Sequence, residues 1–109
     1  MRPNTACPGS GLYLSGNIGT YSVGVGDKCV LYGPDDQACI TGEQGGYRYT
    51  FSIVSGGSHG TLTPGVGTMA TFKRTSTGDV VIDLKQEYQI PTDGCKPGGF
   101  TTYGSVTLD

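Results

Sequence analysis

Tyr47–Val54 reads YRYTFSIV. Tyr47, Tyr49, Phe51 and Ile53 fall on one face, and Arg48, Thr50 and Ser52 on the other. This period-two alternation of aromatic and β-branched residues predicts a half-buried strand. Downstream, Thr68–Arg74 (TMATFKR) and Asp79–Lys85 (DVVIDLK) flank Thr75-Ser76-Thr77-Gly78, which predicts a hairpin with positive φ at Gly78. On the return strand Val80, Ile82 and Leu84 face one way, and Asp79, Asp83 and Lys85 the other.

Further strands are expected at Leu12–Leu14, Ile18–Val25, Cys29–Tyr32 and Phe100–Leu108, and Glu87–Ile90 either extends the strand before it or forms a short separate one, stopped by Pro91. Helix is confined to one candidate turn, Pro34–Ile40, with Pro early and acids in its first turn. The connections are glycine-rich at Gly24–Asp27, Ser55–Gly60, Pro64–Gly67 and Lys96–Gly99. Short strands separated by frequent turns predict an all-β fold, a small antiparallel β-sandwich or β-barrel with little or no helix. A chain of 109 residues is expected to form one domain, residues 1–109, with residues 1–8 as an N-terminal arm.

The chain carries four cysteines, Cys7, Cys29, Cys39 and Cys95, in a background low in charge. The number is even and no pair has zinc-ligand spacing, so two disulfides are expected rather than a metal site. Four cysteines allow three pairings, and the sequence does not select among them. The reading adopted is Cys29–Cys39, closing a local loop, with Cys7–Cys95 tying the N-terminal arm to the loop before the last strand. Disulfides imply an oxidising compartment, hence a secreted, extracellular protein. Met1–Cys7 holds no apolar signal segment, so a removed leader is the expectation.

Formal net charge is −2, and the basic residues are scattered without a stripe, which argues against nucleic acid as a partner. No apolar run reaches the roughly 18 residues of a membrane span. No catalytic, metal or cofactor site is read. His59, the single histidine, sits in a Gly-Ser loop with no nucleophile and acid at triad spacing, and reads as a polar loop residue. Asp79 and Asp83 read as a solvated strand face, and Lys73-Arg74 as a solvated strand end.

Seven tyrosines exceed what so small a core needs, and tyrosine suits surfaces that are apolar at one end and wet at the other. By alternation Tyr103 points outward from the last strand. With Thr101, Ser105 and Thr107 it forms the candidate binding face for an extracellular protein or glycan. The same strand, if exposed, is an edge through which a second copy could pair as a homodimer.

The early Cys7 within ACPGSG, two central cysteines, the late Cys95 and the Gly/Thr/Tyr-rich β-pattern together resemble the small secreted cysteine-rich proteins of filamentous fungi. That group includes effectors and elicitors of plant defence. The resemblance covers the chain in layout and composition, without a diagnostic motif. It implies a non-enzymatic protein that acts by binding outside the cell. A carbohydrate-binding module is the alternative suggested by the tyrosines. A small protease inhibitor is the alternative suggested by a constrained loop such as Cys29–Cys39.

Overall fold

The alternation of Tyr47–Ser55 becomes the outermost strand of a five-stranded sheet in the computed structural model, which describes residues 5–34, 47–90 and 96–109. Among the described residues nine strands occur in chain order: β1 (Thr5–Ala6), β2 (Leu12–Tyr13), β3 (Gly16–Ser22), β4 (Lys28–Tyr32), β5 (Tyr47–Ser55), β6 (Gly60–Pro64), β7 (Met69–Arg74), β8 (Val80–Ile90) and β9 (Lys96–Leu108). A 3-10 turn at Gly57–His59 links β5 to β6. The first sheet has the order β1-β3-β9-β8-β5 and the second β2-β4-β7-β6. The all-β sandwich expected from the sequence is therefore the fold. Most strand pairs are antiparallel, while β1–β3, β3–β9 and β2–β4 run parallel.

The inner faces meet as alternation demands. Val80, Ile82 and Leu84 of β8 and Val106 and Leu108 of β9 are buried from one sheet, and Leu31 and Phe72 from the other. Leu12 and Leu14 close the flank. At Gly104 the backbone of the Leu14 segment comes so near that an added Cβ would lie 2.6 Å from the Leu14 carbonyl carbon, so only glycine fits there. Each large apolar side chain buried in this way contributes roughly 1.5–3 kcal/mol.

Several expectations are corrected. The segments on either side of Thr75–Gly78 do not form a hairpin. β7 pairs with β4 and β6, whereas β8 pairs with β5 and β9, so residues 75–79 carry the chain from one sheet to the other. Gly78 does take positive φ, at 140°. Arg74 is no solvated strand end: it is 1% exposed. It shares parity with Phe72, and its guanidinium lies 5.8 Å from the Phe72 ring centroid. Nε donates to Val23 O, Nη1 to Ser76 O and Gly78 O, and Nη2 to Leu108 O. One cation thus holds three chain segments through backbone carbonyls at the point where the chain crosses between the sheets.

The final strand is not an edge. β9 lies between β3 and β8, and the homodimer expected through it loses its geometry. Of the two possibilities for Glu87–Ile90, the structure shows the extension: these residues continue β8. β6 (GTLTP) is a strand the sequence does not announce, since Leu62 is its single large apolar residue. The helical candidate Pro34–Ile40 lies, apart from Pro34, outside the described residues.

The disulfide pairing also differs. Cys7 bonds to Cys29, with Cα atoms 5.9 Å apart, so neither Cys29–Cys39 nor Cys7–Cys95 forms. The reason lies in the sheet. Cys7 N donates to Ser22 O as the chain leaves β1, and this brings the N-terminal segment alongside the start of β4. Cys39 and Cys95 lie outside the described residues.

Candidate functional site

The sandwich presents different chemistry at its two ends, and the candidate site is the end at which β4, β6 and β8 finish. Tyr32 pairs with Met69 and Pro64 with Ala70, which fixes the β6–β7 turn, Gly65–Thr68, at this end. Gly65 N donates to Met69 O at 2.9 Å and Gly33 N to Thr68 O at 3.1 Å. Gly67 takes φ 70°, a conformation that favours glycine. The turn is therefore tied both within its own hairpin and to the end of β4. Val66 at its tip is 92% exposed, and Met69 at its base 41%. Thr68 between them is buried, and its Oγ1 has no partner among the described residues.

The strand ladders bring the start of β5, the end of β8 and the start of β9 to the same end. β5 begins at Tyr47 opposite Tyr88 near the end of β8, and Ile90 of β8 pairs with Lys96 of β9. β4, β6 and β8 thus end here, at Tyr32, Pro64 and Ile90. Beside the β6–β7 turn, a pocket of about 170 Å³ opens between the two sheets. Tyr49 and Phe51 of β5 form one wall, and Leu62, Pro64, Met69 and Ala70 the other.

The expected binding face on β9 is not assembled. Leu84 pairs with Gly104 and Lys85 with Thr102, which leaves Tyr103 as the extra residue of a β-bulge. The bulge resets the alternation, so Tyr103 turns toward the core rather than outward. Its ring packs edge-on against Tyr49 with centroids 5.4 Å apart, and its hydroxyl lies 3.3 Å from that of Tyr13. Thr101 stays exposed and its hydroxyl donates to Gln86 Oε1 at 3.4 Å. Ser105 and Thr107 lie on the outer face, opposite Asp83 and Val81, and flanked by Asn17 and Thr20 of β3. The four residues split between two surfaces. Tyr32 is engaged as well, packing edge-on with Tyr13 and donating its hydroxyl to Ser10 O.

His59, Asp83 and Glu87 have structural partners. His59 Nδ1 lies 2.9 Å from Ser76 Oγ, and its carbonyl accepts from the backbone of Thr75 and Ser76. This strap ties the 3-10 turn to the crossing, and the neighbouring Ser58 has no part in it. Asp83 pairs with Lys85 at 3.5 Å, as a polar strand face should. Glu87, 3% exposed, accepts two hydrogen bonds from Arg48 at 3.0 Å. Among the described residues no three His, Cys, Asp or Glu side chains converge as metal ligands. Nor does any described helix have the length and apolarity to cross a membrane.

Two features of this geometry escape composition. The Val66 tip lies in a stretch that reads only as a glycine-rich loop. The signal available was a lone apolar residue between two glycines directly after a proline, P-G-V-G. For Arg74 the signal was parity, since it shares a face with Phe72.

No family model matches this chain, and no curated protein matches it. Among solved structures it is similar to the cysteine protease inhibitor EhICP2 from Entamoeba histolytica. Identity is 17%, over 89% of this chain and 95% of that one, with a TM-score of 0.37. No residue is carried across from a superposition this loose.

Proposed function

We propose that this chain is a non-enzymatic extracellular binding protein that inhibits a protease by presenting the β6–β7 turn to its cleft. The observation that carries the reading is Val66, 92% exposed at the tip of a turn bonded to both its own strand and Gly33. A protruding apolar tip on a rigid scaffold loses little conformational freedom on binding, which favours affinity. Its convex shape fits a concave partner, and enzyme clefts are concave and largely apolar. A protease cleft is built to receive polypeptide. Binding residues on loops held by a β-sandwich are also a recurrent arrangement. The constrained loop first expected between Cys29 and Cys39 is replaced in this role by Gly65–Thr68.

An extracellular setting agrees with the Cys7–Cys29 disulfide. A fungal effector meeting a host or microbial protease is the biological context that the cysteine layout suggests. The tyrosines offer a glycan less, because Tyr13, Tyr32, Tyr49 and Tyr103 pack against one another.

The test is a panel of cysteine, serine and metalloproteases assayed with the full chain and with Val66→Asp. Inhibition of one class at about micromolar concentration is expected, weakened about tenfold or more by Val66→Asp. A panel left wholly uninhibited would falsify the reading.

A further inference from the structure

We infer that the free edge of β5 and the pocket beside it form a second recognition site, one that takes an extended, uncharged peptide segment with an apolar side chain. β5 is nine residues long and, among the described residues, pairs on one side only, with β8. The other sheet edges among the described residues are short or blunted. β1 and β2 have two residues each, and β6 ends in Pro64. Natural edges are usually protected by proline, bulges or charge. From Tyr49 to Ile53 β5 carries no proline and no charged residue, and its register shifts only between Ile53 and Ser55. The one charge at its start, Arg48, is already held by both carboxylate oxygens of Glu87.

These features define the occupant. A row of backbone donors and acceptors at strand spacing is satisfied by another extended backbone, the strand-addition mode of peptide recognition. The lack of unpaired charge along Tyr49–Ile53 selects an uncharged segment. The 170 Å³ pocket opens directly off this edge, with Tyr49 and Phe51 as one wall. Its size is close to a cavity of about 150 Å³ that takes up benzene, so it admits one aromatic or branched aliphatic side chain. In strand addition, backbone pairing supplies affinity and such a pocket supplies selectivity.

The site is continuous with the proposed loop interface. Pro64, Gly65 and Met69 belong to the Val66 turn and also line the pocket. The inference rests on that reading only for the identity of the partner: the protein that meets Val66 is the one that supplies the segment.

The probe is an acetylated, amidated pentapeptide TVLVT, with Ala, Phe or Asp at its centre and a backbone N-methylated Leu form as controls. Amide spectra of the isotopically labelled full chain provide the readout. The Leu and Phe peptides are expected to shift and protect the amides of 48–53 and to perturb Met69. The Ala and Asp forms should bind about tenfold more weakly and the N-methylated form not at all. Met69→Lys, at the half-exposed rim, should weaken the Leu peptide while leaving the folded spectrum intact. Equal binding by all peptides, or none, overturns the inference. So does concentration-dependent protection of the same amides without peptide, which would assign the edge to a second copy. Val66→Asp separates the two readings. If it abolishes protease inhibition while no peptide binds β5, the inhibitor reading stands alone. If peptides bind β5 and no protease is inhibited, the edge site stands alone.

Discussion

The two ends of the sandwich solve opposite problems. At one end the chain is bolted shut. The Arg74 guanidinium gathers the carbonyls of Val23, Ser76, Gly78 and Leu108. The Cys7–Cys29 bond stands beside it, and His59 straps the 3-10 turn to the crossing. At the other end β4, β6 and β8 finish, an apolar valine stands in solvent, and a pocket opens between the sheets. The first end spends its polar groups on its own backbone. The second leaves apolar surface for something else. Stability and recognition are therefore expected to separate along the long axis of the strands, and substitutions can test that separation.

The largest effect is expected at Arg74. Arg74→Met removes four hydrogen bonds to carbonyls, two of them in fully buried geometry, and should cost roughly 3–5 kcal/mol in denaturant unfolding. Arg74→Lys keeps the charge without the planar fork and should still lose roughly 2 kcal/mol. If Arg74→Met unfolds at the wild-type midpoint, the closed end is held by something other than this cation.

The disulfide ranks next. Cys7 and Cys29 are 22 residues apart, and closing such a loop stabilises by about 3 kcal/mol on the chain-entropy model. Cys7→Ser should lower stability by that amount. Peptide mapping of the non-reduced protein should recover Cys7 linked to Cys29. Recovery of a Cys29–Cys39 link would restore the pairing first expected and remove a bolt from this end.

A smaller loss is expected from the strap. His59→Ala deletes one partly exposed hydrogen bond but leaves the backbone bonds to the His59 carbonyl, so about 0.5–1.5 kcal/mol should be lost. Hydrogen exchange should locate the loss in residues 56–60 and 75–79. Faster exchange spread instead over Gly65–Met69 would contradict the separation of the ends.

The sequence reveals these two ends unequally, for physical reasons. Strands β5, β7, β8 and β9 were legible because alternation is a local property of one buried face. Their assignment to sheets was not, since the choice between a hairpin and a crossing at Thr75–Gly78 depends on the long-range partners of β7 and β8. A turn rich in Thr, Ser and Gly suits both. The bulge at Tyr103 was equally hidden. One extra residue reverses every face beyond it, and no residue type marks the position. That single shift carried Tyr103 inward and dissolved the expected face with Thr101, Ser105 and Thr107. β6 was missed because it borrows its ladder from β7 and shows little alternation of its own. The cysteine count was legible, whereas the pairing depends on β1 lying beside β3, a long-range fact.

The smallest effect on stability is expected where the functional effect is largest. Val66 touches solvent over 92% of its surface, so Val66→Asp removes almost no buried contact and should shift stability by no more than about 0.5 kcal/mol. The backbone bonds from Gly65 to Met69 and from Gly33 to Thr68 do not involve the Val66 side chain, so the turn should keep its shape. A charge at the tip nevertheless has to be stripped of water in an apolar cleft, which is costly without a partner. Loss of inhibition with an unchanged unfolding midpoint is therefore the signature of an end built for recognition. If Val66→Asp destabilised the protein by several kcal/mol, the tip would be a structural element, and the contrast between the two ends would fail.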